Sequence, residues 1–313
     1  MRVVFMGTPD FSVPSLAALK DAGHEICAVF AKPDKPKNRG KQIQTCPVKD
    51  FAIENDFEIF QPNSLKKGDD AAESLSILHK INPDVIVVIA YGQILPNEIL
   101  ELPKFGCINV HASLLPKYRG AAPIQRCIQD GETVSGVCTM RMDSGIDTGD
   151  VIMRREVEIP PEMTGSELWE TLSQCGAELI VETLAALENG TAEFTSQPNS
   201  EQASYAKMIS KEELRLDFTK PAKQLYDFIR AMADAPCAYT MLEGKRLKIY
   251  RARLTERTSA LPAGSIADER TFAAVCGDGI CIELSEVKIE GGKRMKSDDF
   301  LRGKKLEKGL ILG

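Results

Sequence analysis

The chain has 313 residues, 43% of them hydrophobic and 27% charged, the balance of an ordinary folded protein rather than a disordered one. That length suffices for one large core or two domains. No stretch approaches the ~18 consecutive apolar residues of a membrane span, and the apolar start is too short for a signal peptide, so no membrane partner is expected.

Residues 2–6 read as a first core strand, ending at Gly7-Thr8-Pro9-Asp10. A helix is predicted over 13–22, with Ser12 as N-cap, Pro14 in the first turn and Gly23 past the end. Residues 25–30 form the next strand and complete a βαβ unit. The turn lacks Gly-x-Gly-x-x-Gly, so Gly7 reads as permitting a tight strand-to-helix turn. Residues 31–50 hold Lys32, Lys35, Lys37, Arg39, Lys41 and Lys49 against Asp34 and Asp50, punctuated by Pro33, Pro36 and Gly40. Proline and glycine argue against regular structure there. The segment is either a solvated surface loop or a basic loop that follows a phosphate backbone.

A short helix over 48–54 and a short strand over 58–60 follow, then a helix over 64–81 with Ala71, Leu75 and Leu78 on one face. His79 lies beside that stripe as an ordinary helix residue. Residues 84–90, nearly all apolar and β-branched, fit a parallel strand buried on both faces. That strand ends at Tyr91-Gly92-Gln93-Ile94-Leu95-Pro96, a turn into a short helix. The next strand, Cys107-Ile-Asn-Val110, leads into His111, Ser113-Leu-Leu-Pro116, Lys117-Tyr-Arg119 and Gly120. Asn109 and His111, two apart, share one face. Alternating strands and helices place both turns at the carboxyl edge of a parallel sheet, where ligands of open α/β sheets bind.

A helix over 121–129 and a strand over 135–142 come next. Asp143-Ser-Gly-Ile-Asp147-Thr-Gly-Asp150 is either an acidic turn or a sharp loop that directs one carboxylate inward. Residues 151–153 and 156–159 read as two short strands. Thr164-Gly-Ser-Glu167 is a capping box opening a long helix that stops at Asn189-Gly190, and Trp169 reads as packing. Residues 191–202 are polar and aperiodic, as in a linker. Beyond them one helix is predicted over 220–235, with Thr219 as N-cap, and then short strands with turn signals, the pattern of a small antiparallel barrel.

Nine scattered cysteines, an odd count without a Cys-x-x-Cys pair, argue against a metal cage or disulfide framework and for reduced thiols in a cytoplasmic protein. The net charge is −6 but uneven. Residues 206–313 carry 21 Lys and Arg against 16 Asp and Glu, and residues 1–205 carry 18 against 29. A basic second half is either a fluctuation in solvated charge or a surface for a polyanion.

Asn109-x-His111 followed by Ser113-Leu-Leu-Pro116, with the distant Asp147 in Asp143-x-Gly-x-Asp-Thr-Gly-Asp150, resembles the signature of the folate-dependent formyltransferases. The resemblance extends over nearly the whole chain. It implies a Rossmann-like, mostly parallel α/β sheet over 1–190, a linker over 191–205 and a small OB-like antiparallel β-barrel over 206–313. It also implies transfer of a formyl group from 10-formyltetrahydrofolate to an amine, without a metal, with Asn109, His111 and Asp147 catalytic. Ser113, Leu114, Leu115, Pro116, Tyr91, Gly92 and Ile94 would line the folate pocket. Arg-Gly-Ala-Ala-Pro-Ile-Gln125 and the basic second domain are similar to the branch that formylates initiator methionyl-tRNA, with Arg39, Lys41 and Lys37 as tRNA contacts and a monomer expected. Residues 230–239 depart from that branch, which commonly carries tryptophan there. A small-amine acceptor such as a nucleotide or amino-sugar, hydrolysis of the formyl donor, and a non-enzymatic RNA-binding protein are the alternatives.

Overall fold

The computed structural model describes residues 1–37, 42–198 and 202–313, the side chains of 35–37 and 42–43 excepted. Its elements in chain order begin with β1 (Arg2–Gly7), α1 (Val13–Asp21), β2 (Glu25–Phe30), β3 (Lys35–Lys37), β4 (Gln42–Gln44), α2 (Pro47–Glu54), β5 (Ile59–Phe60), α3 (Asp69–Ile81) and β6 (Val85–Ile89). They continue with α4 (Asn97–Leu100), β7 (Cys107–His111), β8 (Arg119–Gly120), α5 (Pro123–Gln129), β9 (Val134–Arg141), β10 (Val151–Glu158), α6 (Gly165–Asn189), β11 (Tyr205–Ala206) and α7 (Ala222–Ala231). The last are β12 (Ala238–Leu242), β13 (Lys245–Thr258), β14 (Ile266–Asp268), β15 (Ala273–Val275), β16 (Ile280–Ile289), β17 (Met295–Lys296) and α8 (Ser297–Gly303). Two compact units result. One comprises 1–120, 135–157 and 169–205, and the other 121–134, 158–168 and 206–313. The units thus interleave along the chain.

The first unit holds a seven-stranded sheet of order β10-β9-β7-β6-β1-β2-β5. Pairing is parallel from β7 through β6, β1 and β2 to β5, and antiparallel between β7 and β9. Val4, Met6, Ala28, Phe30, Ile86 and Val88 form one buried cluster with Leu78 of α3 and Ile99 of α4. Val3, Phe5, Val29, Val85 and Val87, of opposite parity, are buried as well. Both faces of the parallel strands are therefore covered, which explains their unbroken apolar sequence. The strand order reverses between β1 and β6, the topological switch point of such sheets. There the Ser12 hydroxyl donates to Ile89 O at 2.7 Å and the Thr8 hydroxyl to Tyr91 O at 3.3 Å.

The second unit holds a six-stranded antiparallel half-barrel of order β12-β13-β16-β15-β14, with β17 paired to β16. Register shifts along β13 at Ile249/Arg251, Arg251/Ala252 and Leu254/Thr258 bend its long ladder with β16, as bulges do. On α7, Asp227 and Arg230 are buried together, 2.8 Å apart.

Several local expectations are corrected. Ser12 occupies the N-cap position of α1 as expected, but its hydroxyl makes no cap bond and donates instead to Ile89 O. The helix expected from residue 64 begins at Asp69: the Ser64 hydroxyl accepts the amides of Lys66 and Lys67, and Gly68 takes a φ of +80°. Asp69 and Asp70 then sit where the helix dipole favours acid. Among the described residues of 31–50, β3 and β4 pair antiparallel and α2 starts at Pro47, regular structure that the prolines argued against. Pro36 pairs with Ile43 in a two-stranded ribbon, where an outer edge tolerates the missing N–H. Val151–Glu158 form one strand, β10, rather than two, and its alternating exposure marks it as half-buried. Thr219 does not cap α7. Its hydroxyl bonds Asp217 at 2.6 Å, Pro221 takes the N-cap position and Asp278 Oδ2 accepts the Ala222 amide at 3.1 Å. The capping box is formed, with Thr164 N donating to Glu167 Oε2 at 2.8 Å and Glu167 N to Thr164 Oγ1 at 3.3 Å.

Candidate active site

β7 places the central residues. Asn109 lies level with Val88 of β6, and His111 is the last residue of β7, so both side chains stand on one face near the carboxyl end. Asn109 is 9% exposed and His111 6%. The β9–β10 hairpin supplies the carboxylate. Because β9 runs antiparallel to β7, with Ile108 opposite Arg141 and His111 opposite Cys138, its hairpin loop starts at the far end of β7. The loop then folds back so that Asp147 Oδ2 lies 3.6 Å from His111 Nδ1 and Asp147 Oδ1 lies 3.5 Å from Asn109 Nδ2. Gly149 allows this fold, since a Cβ there would overlap the carbonyl of Arg141.

Backbone groups fix the pair from the other side. Gly120 N donates to Asp147 Oδ2 at 2.7 Å, and His111 Nε2 lies 2.9 Å from Tyr118 O. A carbonyl only accepts, so Nε2 carries hydrogen. Nδ1 is then the exchangeable nitrogen, and it is the one that faces Asp147. At 3.6 Å the gap exceeds a direct N–H···O bond. Tyr118 and Asp147 both adopt left-handed backbone, with φ of +59° and +53°. This conformation is uncommon for side chains larger than glycine and is maintained only by surrounding contacts. Tyr118, whose carbonyl meets His111, Gly120, whose amide meets the Asp147 carboxylate, and Gln197, which bonds Asp147 O and Gly149 O, are the part of the site that sequence reasoning missed. The Tyr-Arg-Gly segment was visible, but nothing in it announced that its backbone faces His111 and Asp147.

The residues assigned to a folate pocket separate by exposure. Gly92 and Ile94 are exposed and Leu114 and Pro116 half-buried. Ser113 and Leu115 are buried, the Ser113 hydroxyl bonding Lys117 O at 2.6 Å and Leu115 packing with Cys138, Met140 and Val151. The Tyr91 ring lies in the apolar core beneath the switch point, and burial pushes its phenol well above the usual value. Gly92 has a φ of +72°, and a Cβ there would overlap Lys32 Nζ. Of the basic-loop residues, Arg39 and Lys41 lie outside the described residues, as does the side chain of Lys37 in β3. Lys49 is held by Asp34 and Gln61, each at 2.6 Å. A cavity of about 800 Å³ lined by Phe105, Arg141, Asp143 and Phe194 opens at the amino end of β7, away from His111.

Buried cysteines take no part in this cluster. Burial pushes the Cys107 thiol up to about 12 and the Cys138 thiol to about 11, which keeps them protonated and unreactive. No helix among the described residues is long and apolar enough to cross a membrane.

A family model described as formyl transferase matches residues 1–184, and one described as formyl transferase, C-terminal domain, matches residues 208–305. A methionyl-tRNA formyltransferase of Agathobacter rectalis is 47% identical over 311 residues, 99% of this chain and 98% of the relative. One from Clostridioides difficile is 42% identical over 320 residues, 100% of each. Among solved structures, an N-formyltransferase from Helicobacter canadensis in complex with folinic acid and dTDP-3-aminofucose gives a TM-score of 0.67 at 20% identity, over 90% of this chain and 98% of that one. A methionyl-tRNA formyltransferase from Clostridium thermocellum gives 0.53 at 19% identity, over 82% and 94%. At such identities the structures share the fold alone. The family models and the whole-chain relatives together show that this chain belongs to the formyl transferase family.

Proposed function

We propose that the protein transfers the formyl group of 10-formyltetrahydrofolate to the α-amino group of methionyl-initiator tRNA, acting as a cytoplasmic monomer. The observation that carries the chemistry is the convergence of Asn109, His111 and Asp147 at the carboxyl end of β7. Relatives that match the whole chain at 42% and 47% identity are named for the same reaction, which supports the choice of tRNA over a small amine. Residues 1–190 do the chemistry and 206–313 add phosphate contacts. Arg39, Lys41 and Lys37 of the basic loop reach the acceptor end.

The folate supplies an activated formyl carbon when bound. The exposed turn after β6 and the segment after β7 fit such a ligand. Gly92 and Ile94, both exposed, and Leu114 and Pro116, both half-buried, offer accessible surface to an amphipathic heterocycle. Tyr91, Ser113 and Leu115 support that wall from beneath.

The chain's own groups then act at the reacting centre. A model α-amino group titrates at about 7.7–8.0, so a useful share of the acceptor is neutral near neutral pH. Asn109 donates one Nδ2 hydrogen toward Asp147 and has a second for the oxygen on which negative charge develops. His111 cannot offer Nε2, which Tyr118 holds. Nδ1 and the Asp147 carboxylate together receive the proton that leaves the attacking amine and pass it toward the departing nitrogen. The open 3.6 Å separation suits a proton that moves between partners rather than one locked in place.

Incubation with 10-formyltetrahydrofolate, with and without Met-tRNA, tests the proposal through tetrahydrofolate release. Release that depends on Met-tRNA is expected. Release at the same rate without it would overturn the tRNA assignment.

A further inference from the structure

The polar stretch after α6 reads in sequence as a linker, yet it is stitched along the Asp147 loop. Thr195 and Val151 exchange both backbone bonds, at 2.9 and 2.8 Å. The Ser196 hydroxyl donates to Asp150 Oδ1 at 3.0 Å. Gln197 is the centre of the seam. Its Oε1 accepts Arg119 Nε at 3.1 Å and Nη2 at 2.9 Å. Its Nε2 donates to Asp147 O at 3.0 Å and Gly149 O at 2.7 Å, with the Met140 sulfur at 3.8 Å as a weak third neighbour.

The Arg119 guanidinium carries donors only, so it dictates which end of the Gln197 amide faces it. The amide NH₂ is thereby turned to the loop, and both its hydrogens meet carbonyls that flank the site. Arg119 is 1% exposed, so this orientation is set inside the protein. Asp147 has a φ of +53°, a left-handed conformation that surrounding contacts help to maintain. Gly120 holds only its carboxylate. Gln197 holds the backbone at Asp147 itself and two residues on, at Gly149.

We propose that Gln197, oriented by buried Arg119, is a positioning residue that holds Asp147 at its distance from His111 for the transfer reaction. The inference rests on the function proposed above. It implies that the segment after α6 completes the site rather than merely connecting domains.

Gln197→Glu separates positioning from packing. A carboxylate keeps the two Arg119 bonds and strengthens them by charge, but it presents oxygen to the carbonyls of Asp147 and Gly149. The thermal midpoint is expected to hold or rise while kcat falls roughly 10²-fold, the usual cost of ~1 Å misplacement. KM for both substrates should stay within about threefold, and the pH profile of kcat should change shape because the proton-handling pair has moved. Amide hydrogen exchange over 143–150 should rise, a readout that does not depend on activity. Should Gln197→Glu fail to fold, the near-isosteric Gln197→Met is expected to show the same kcat loss and faster exchange. Wild-type kcat, pH profile and exchange in the folded variant would overturn the inference while leaving the function intact. Faster exchange in a protein whose wild type transfers no formyl group would instead overturn the functional reading.

Discussion

Asp147→Asn tests the division of labour at the site with the smallest change of shape. Asp147 Oδ2 accepts the Gly120 amide at 2.7 Å, and an asparagine carbonyl can keep that bond. Its NH₂ then takes the place of Oδ1 and meets the Asn109 NH₂ at 3.5 Å, donor against donor. The charge opposite His111 disappears. For an imidazolium and a carboxylate at 3.6 Å, Coulomb's law at an effective dielectric of ~20 gives about 4–5 kcal/mol. At about 1.4 kcal/mol per decade this is roughly 10³-fold in rate, within the usual range for a general base. The assay is single-turnover formylation of Met-tRNA at saturating 10-formyltetrahydrofolate, with thermal melting to confirm the fold. A roughly 10³-fold slower step with little change in folate affinity is expected. Retention of the wild-type rate to within about tenfold would refute the argument that the carboxylate charge acts on His111 during the reaction.

Asn109→Ala removes the donor that the proposed mechanism directs at the developing oxygen and should cost roughly 10²–10³-fold in kcat, read in the same assay with folate binding largely retained. Arg39→Ala should weaken use of Met-tRNA and flatten its salt dependence by roughly one unit of log–log slope. tRNA kinetics unchanged at low and moderate salt would remove Arg39 from the interface. Glu286→Gln addresses stability. Hydrogen bonds from Arg294 at 2.7 and 2.9 Å hold the Glu286 carboxyl below its ordinary value. Such a group adds stability above its unfolded value and loses it as pH falls through the folded one. For this partly exposed pair the variant should be less stable by about 0.5–1 kcal/mol at neutral pH, and the two melting curves should converge below about pH 4. A constant gap down to pH 3 would contradict the linkage.

The half-buried charges of the second unit temper what its composition implied. Arg294 bonds Glu286 and Asp234, Lys304 pairs with Glu243 at 2.5 Å, and Arg251 lies 3.5 Å from Asp234. The excess of cations is a property of composition. How many of them face solvent rather than a carboxylate is a property of the fold.

Local chemistry alone was enough to place β1, β2, β6 and β7, because strands buried in a parallel sheet read as short, mostly apolar runs bounded by turn residues. It was also enough to set Asn109 and His111 on one face, through the two-residue period of a strand, and to mark Thr164 and Glu167 as a helix start. What sequence could not decide was every contact made across distance. Ser12 sits at the N-cap as its sequence position suggested, but its hydroxyl donates to the carbonyl of Ile89, 77 positions away. Asp147 was one of three aspartates in its loop, and only the antiparallel β9, the small Gly149 and the Gly120 amide turned that one toward His111. Gln197 was invisible in a polar segment because its role depends on Arg119 and on two carbonyls, none of them its neighbours in the chain. A strand's periodicity is written in adjacent residues, whereas the aim of a carboxylate is set by groups that only the folded backbone brings together.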